Sequence, residues 1–364
     1  MKYSSYNKLN FTVGPVMMDP DIKKIGSNNI PYFRTQEFSE LMKENEKCMK
    51  LLLRCNENGR VIFLTGSGTS AMEAALMNSF TRNDKVLVVN GGGFGERFVK
   101  LCDIHNISYT EIRLRYGESL KTTHLEPYES KGYTGFIINM HETSTGVLYD
   151  MPLVSEFCKR NNCFLLVDAI SSFLADEIKM EEWGINLLIT ASQKALALPP
   201  GIAIIVMNVD AVDRINKNKV QSLYFDLKEY LINGERGQTP FTPAVGTLIQ
   251  MNKRLLDLRH KGIEKQICTV RKVAEDFRKK IKLLPFEIPS DSLSNAVTPL
   301  RPLGKLGAND IFNRLETEYG IWVCPNGGEL KDSLFRVGHI GNISIEDNDK
   351  LIQALIDMKN KNIL

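Results

Sequence analysis

The sequence predicts an α/β protein: a large domain with a mostly parallel sheet flanked by helices, and a smaller C-terminal α+β domain. Three observations lead there. Short apolar runs alternate with helix-periodic stretches from about residue 60 to 207. Those runs are continuously apolar rather than alternating, as strands covered on both faces are. After about residue 245 the texture changes to a long helical pattern, short strands and two further helices. At 364 residues the chain also exceeds what one simple core serves. The reading divides it into an N-terminal arm (1–20), a large domain (21–244) and a small domain (245–364).

Each element has its own signal. Residues 38–54 carry helical apolar spacing. RVIFLT (60–65) reads as a strand, and GSGTS then opens a helix over AMEAALMNSF. KVLVVN (85–90) is the next strand, followed by a glycine turn, GGGFG, into another helix. Strands follow near 108–113, at GFIINM (135–140), FLLVD (164–168), LLITAS (187–192) and GIAIIVM (201–207), with a helix near 152–161. The stretch 208–244 reads as polar and irregular, since GERGQTPFTPAV is rich in Gly and Pro. Beyond it, 245–282 is helical with a break expected at Gly262. A helix near 307–319, the runs IWVCP and LFRVG, and a helix at 345–359 complete the chain.

Composition narrows the function. The hydrophobic fraction of 43% and charged fraction of 24% are those of a globular protein. A net charge of +3 gives no field suited to nucleic acid or an anionic membrane. The N-terminal residues lack the apolar core of a signal peptide, and no apolar run approaches the roughly 20 residues of a spanning helix. The expectation is a cytoplasmic protein with small-molecule partners. The seven cysteines are scattered without zinc-knuckle spacing, which fits reduced thiols and no metal.

The chemistry-bearing residues fall at strand ends. Lys194 follows LLITASQ, and Asp168 ends FLLVD. A desolvated lysine loses part of its preference for the charged form and becomes a nucleophilic amine. Paired with a strand-end carboxylate, it suggests a Schiff-base site for pyridoxal 5'-phosphate, the carboxylate keeping a pyridine nitrogen protonated. GSGTS follows a strand and opens a helix, where free N–H groups bind phosphate; Ser67, Gly68 and Thr69 are the candidates. The same residues also fit a dinucleotide turn. That reading needs an acidic residue at the end of the next strand, where this chain has Asn90. Phe94 can stack on a flat heterocycle. Thr143, in HETSTG, offers a hydroxyl at another strand end. Arg336, in LFRVGHIG, offers a bidentate fork for a carboxylate or phosphonate.

The ordered set FTVGPVMM, FRTQEFSELM, LTGSGTSAMEAAL, DKVLVVNGGGFGER, HETSTGVLYDM, LLVDAISSF, ITASQKALALPPG, TPFTPAV and FRVGHIG resembles the class V (fold type I) pyridoxal-phosphate aminotransferases over nearly the whole length. Within them the chain looks most like 2-aminoethylphosphonate–pyruvate transaminases, with alanine/serine–glyoxylate-type enzymes as the alternative. The resemblance implies that Lys194 forms the Schiff base and moves the α-proton, and that Asp168 pairs with the ring nitrogen. It implies that Phe94 stacks on the ring, that Thr143 sits near the ring hydroxyl, and that Ser67, Gly68, Thr69 and Gln193 bind the phosphate. Thr242 would reach the phosphate in a neighbouring subunit, which implies a homodimer, and Arg336 would clamp the acidic group of both substrates. Two departures touch the substrate side: Phe33 where many relatives have His, and Leu174 and Ala175 where many have Gly. A cysteine desulfurase-like enzyme would need a mobile reactive cysteine and usually a His before the lysine; here the residues are Cys324 and Gln193.

Overall fold

The computed structural model describes residues 8–364; the first seven residues of the expected arm lie outside the described residues. A short strand, β1 (Leu9–Asn10), precedes helices α1 (Pro20–Gly26) and α2 (Gln36–Leu52). The large unit then runs β2 (Arg60–Gly66), α3 (Gly68–Ser79), β3 (Lys85–Asn90), α4 (Gly95–His105), β4 (Ser108–Arg113) and α5 (Thr122–Leu125). It continues through β5 (Gly135–Asn139), the hairpin β6 (His141–Glu142) and β7 (Val147–Leu148), α6 (Met151–Asn161), β8 (Phe164–Asp168), β9 (Leu187–Ala191) and β10 (Gly201–Met207). Four helices follow: α7 (Val209–Lys217), α8 (Leu227–Glu235), α9 (Val245–Lys261) and α10 (Ile263–Ile281). The remainder is β11 (Phe286–Glu287), β12 (Val297–Pro302), α11 (Ala308–Tyr319), β13 (Ile321–Trp322), β14 (Cys324–Pro325), β15 (Phe335–Gly338) and α12 (Ile345–Asn360).

The seven-stranded sheet has the order β2-β10-β9-β8-β5-β3-β4, and only β10 is antiparallel to its neighbours. The period-2 geometry of a strand explains why the runs are apolar throughout. Phe63, Leu165 and Val167 pack on one face with α2, α6 and α9, while Ile62, Leu64 and Leu166 pack on the other with α3, α4, α7 and α8. From β3 the chain moves outward to β4; from β5 it moves the other way to β8 and β9. That reversal opens a crevice at the carboxyl ends of β3, β5 and β8, where α/β sheets bind ligands.

Two features differ from the reading of the sequence. The stretch 208–244 is not irregular: it holds α7, capped by Asn208, and α8, capped by Asp226. Helix α7 buries only Ala211 and Ile215, so too few positions carry an apolar period for it to be read. Helix α9 packs its Leu248, Met251 and Leu255 in the core beneath the large sheet. The core beneath the large sheet therefore continues past residue 244 into α9, which ends at Gly262 with φ +83°. The small unit closes a separate core around Phe277, Leu315, Phe335 and Leu355. The arm belongs to that core: β1 pairs in parallel with β13, and Phe11 is buried beside Phe277.

Candidate active site

Register sets the two principal residues. Asn139 pairs with Asp168, and Asp168 pairs with Ile189, so the carboxylate stands level with the last turn of β9 before Lys194. The loop carrying Lys194 is pinned by Ser192, whose hydroxyl donates to the Pro199 carbonyl at 2.7 Å and accepts from Ile202 N at 3.2 Å. The arm closes over the amine, and Lys194 Nζ donates to the Val13 carbonyl at 2.6 Å. Burial lowers the Lys194 amine to about 8; Arg336 and Arg97 act in the same direction, and Cys324 and Asp168 oppose them. Burial also raises the Asp168 carboxyl to about 7, against one hydrogen bond from Ile170 N at 2.8 Å. A carboxylate so placed is completed by a cationic or N–H partner such as a protonated ring nitrogen.

The α3 end suits a phosphate. Ser67 is the N-cap residue but makes no side-chain cap. Ser70 N bonds the Ser67 carbonyl, whereas no partner is recorded for the Gly68 and Thr69 amides among the described residues. A Cβ at Gly68 would come within 2.6 Å of Ile170 Cδ1, so a side chain here would have to displace the end of Ile170. Gln193 has a buried side-chain oxygen without a partner among the described residues; that atom is an acceptor, so only the amide nitrogen of the group can serve a phosphate. Phe94 is the N-cap residue of α4, half-buried at the mouth of the crevice. The Thr143 hydroxyl lies 2.5 Å from that of Ser171. A phosphate, a flat ring and a ring nitrogen therefore each find a matching surface, and the residues fit pyridoxal phosphate.

Arg336 lies on β15 of the small unit and is only 8% exposed. Its Nη1 donates to the Thr143 carbonyl at 3.2 Å and its Nη2 to the Pro325 carbonyl at 2.5 Å, while Nε has no partner. Thr242 is exposed, in a groove of about 800 Å³ between residues 25–33 and 242–250. Phe33 packs against Phe38, with the Arg34 guanidinium 4.6 Å over its ring. Leu174 is fully buried at φ +66°, in the left-handed region where a glycine carries no strain.

Three groups, Arg97, His141 and Glu142, escaped the reading of the sequence. Arg97 bonds Thr69 Oγ1 at 3.0 Å and lies 5.0 Å over the Phe94 ring. His141 is 2% exposed, and both its ring nitrogens lack partners. Burial, then Lys194, Arg336 and Arg278, lower it to about 3, so the imidazole is neutral. Cys324 sits opposite Arg336 in the β14–β15 pairing, a strand position rather than a mobile loop. Glu142 is fully buried between β6 and the α4 turn. The signal for Glu142 was present, since HETSTG places an acid among hydroxyls after a strand, but only the hydroxyls were singled out.

The comparisons with known proteins agree with this geometry. The pattern of the family described as Aminotransferase class-V matches residues 28–292. An uncharacterized aminotransferase of Methanocaldococcus jannaschii is 30% identical, covering 94% of this chain and 90% of its own. The L-aspartate–glyoxylate aminotransferase of Paracoccus denitrificans is 24% identical over 92% of this chain and 86% of its own. The serine–glyoxylate aminotransferase of Arabidopsis thaliana is 26% identical over the same shares. Among solved structures, the ureidoglycine–glyoxylate aminotransferase of Bacillus subtilis superposes with a TM-score of 0.92 at 22% identity, covering 98% and 94% of the two chains. The chain belongs to the class V aminotransferases, and it is a pyridoxal-phosphate-dependent enzyme of fold type I.

Proposed function

We propose that the enzyme transfers the amino group of a small amino acid, such as serine or alanine, to glyoxylate. The observation that carries this is Arg336: one buried guanidinium with an unpartnered Nε, next to the Thr143 loop and acting on Lys194. One fork can serve the carboxylates of donor and acceptor in turn, because both present paired oxygens. The named relatives above support glyoxylate as the acceptor while their donors differ. The phosphonate donor expected from the sequence has no counterpart among those relatives, and pyruvate as acceptor was tied to it.

When bound, pyridoxal phosphate supplies the carbonyl carbon that takes up the amino group and a ring that withdraws electrons from the substrate α-carbon. The chain's own residues do the rest. Gly68 and Thr69 amides, with Ser67 and Gln193, hold the phosphate at the positive end of α3. Asp168 keeps a proton on the ring nitrogen. Phe94 would stack on the ring and shield it from water, and Thr143 would orient the ring hydroxyl. The Lys194 amine, lowered to about 8 by burial, takes the α-proton and returns it. Thr242, exposed on its own chain, is assigned to the partner subunit's phosphate in a homodimer, and the enzyme works in the cytoplasm.

The test is a donor and acceptor screen by half-reaction absorbance. Serine or alanine should convert the cofactor, glyoxylate should restore it, and Arg336→Ala should raise KM for both acids about tenfold or more. Conversion by 2-aminoethylphosphonate alone, or unchanged KM values in the variant, would overturn the assignment.

A further inference from the structure

Glu142 is the least economical residue of the site. It is fully buried, and among the described residues no lysine or arginine forms an ion pair with it. Its carboxylate is held instead by neutral donors. Oε2 accepts from Asn139 Nδ2 at 2.9 Å, Gly95 N at 3.1 Å and Phe94 N at 3.2 Å. Oε1 accepts from the Ser144 hydroxyl at 2.5 Å and the Ser144 amide at 3.1 Å. The Ser144 hydroxyl in turn accepts from Gly93 N at 3.2 Å. A Cβ at Gly92 would stand 2.7 Å from Glu142 Cδ, so it is Gly92 that lets the β3–α4 turn fold over this carboxylate. Burying a charge without a counter-charge is costly, and an arrangement that keeps one is defined by what it orders.

What it orders is three segments of the site. The Phe94 and Gly95 amides belong to the turn that presents the Phe94 ring. Asn139 is level with Asp168, and Ser144 follows Thr143. We propose that Glu142 is a positioning residue that locks the Phe94 turn onto the Thr143 loop, holding the aromatic ring at a fixed height over the cofactor plane. The proposal rests on the reading of Phe94 as the stacking residue. An electrostatic role is the rival, and it makes the opposite prediction. The charge of Glu142 raises the Asp168 pKa, so it works against ionisation of the carboxylate that serves the ring nitrogen. If Glu142 acted mainly through its charge on Asp168, neutralising it would strengthen that ion pair.

The experiment uses the holoenzyme and its visible absorbance and circular dichroism, which report cofactor orientation. Cofactor release on dialysis and steady-state kinetics are measured for wild type, Glu142→Gln, Phe94→Ala and the double variant. Glu142→Gln should speed cofactor release about tenfold, reduce the visible dichroism and lower kcat more than it raises KM. Those effects should vanish in the Phe94→Ala background, since coupled residues are not additive. Additive losses, or faster turnover in Glu142→Gln, overturn the proposal. Should Glu142→Gln not fold, Ser144→Ala removes the 2.5 Å bond to Glu142 together with the acceptor of Gly93 N, both links between the Phe94 turn and the Thr143 loop, and its coupling to Phe94→Ala decides in the same way. Failure of the stacking reading is recognised separately, because Phe94→Ala by itself would then leave the dichroism of the bound cofactor unchanged.

Discussion

The two helix N-termini at the carboxyl edge of the sheet, α3 and α4, begin alike and end as opposites. Each follows a strand through a glycine-containing turn, and each presents unpaired amides and the positive end of a helix dipole. At α4 the amides of Phe94 and Gly95 are closed by the Glu142 carboxylate from within the protein. At α3 the amides of Gly68 and Thr69 meet no side-chain carboxylate, and Ser67 makes no cap. The same physics is used internally where a ring must be held still and left open where an anion has to arrive. A glycine-rich turn is thus no mark of a phosphate site by itself; what decides is whether the fold supplies its own carboxylate.

The contrast can be broken most strongly at Gly68. Gly68→Val places a side chain against Ile170 and shuts the open end. Overpacking of this kind costs about 1–3 kcal/mol, which corresponds to an about fivefold to 150-fold loss of cofactor affinity in a visible-band titration. The closed end should respond in the stability of the cofactor-free protein as well as in cofactor release. Glu142→Ala leaves buried amides without an acceptor and should lower the unfolding free energy of the cofactor-free protein by about 1–3 kcal/mol in urea. Thr69→Val at the open end should leave that midpoint unchanged and weaken cofactor binding only severalfold, through loss of the hydroxyl that Arg97 contacts. Equal stability losses at the two ends would erase the distinction.

The charge state of Lys194 sharpens it further. Burial disfavours the ammonium and lowers its pKa to about 8, so the free amine gains population as pH rises through 8. In the cofactor-free protein, labelling of Lys194 by an amine reagent should therefore rise with a midpoint near pH 8, whereas surface lysines titrate at about 10.4. A midpoint shared with the surface lysines would mean that burial does not desolvate the amine.

Much of this was legible before any coordinates. Apart from the polar edge strand β4, the strands of the large sheet are short apolar runs, and Asp168 ends one of them while Lys194 follows shortly after another. Local signals of that kind survive because a doubly covered strand tolerates little else. Relations between segments left no local trace. Glu142 gains its meaning from amides 47 and 48 residues away. Arg97 reads as an ordinary helix residue until α4 brings it to Thr69. His141 is one residue of a two-residue strand, and nothing in HETSTG announces that its ring is buried beside Lys194 and Arg336. Helix α9 carries the period of any amphipathic helix, and only packing shows which core it joins.

The central claim is that Lys194 carries the cofactor at the open end of this edge. Reducing the purified holoenzyme with borohydride and mapping the modified peptide by mass spectrometry tests it directly. The account predicts bleaching of the visible band with the cofactor mass on Lys194 alone, and no such adduct in Lys194→Ala. Attachment at another lysine, or a Lys194→Ala protein that keeps both adduct and transamination, would contradict it.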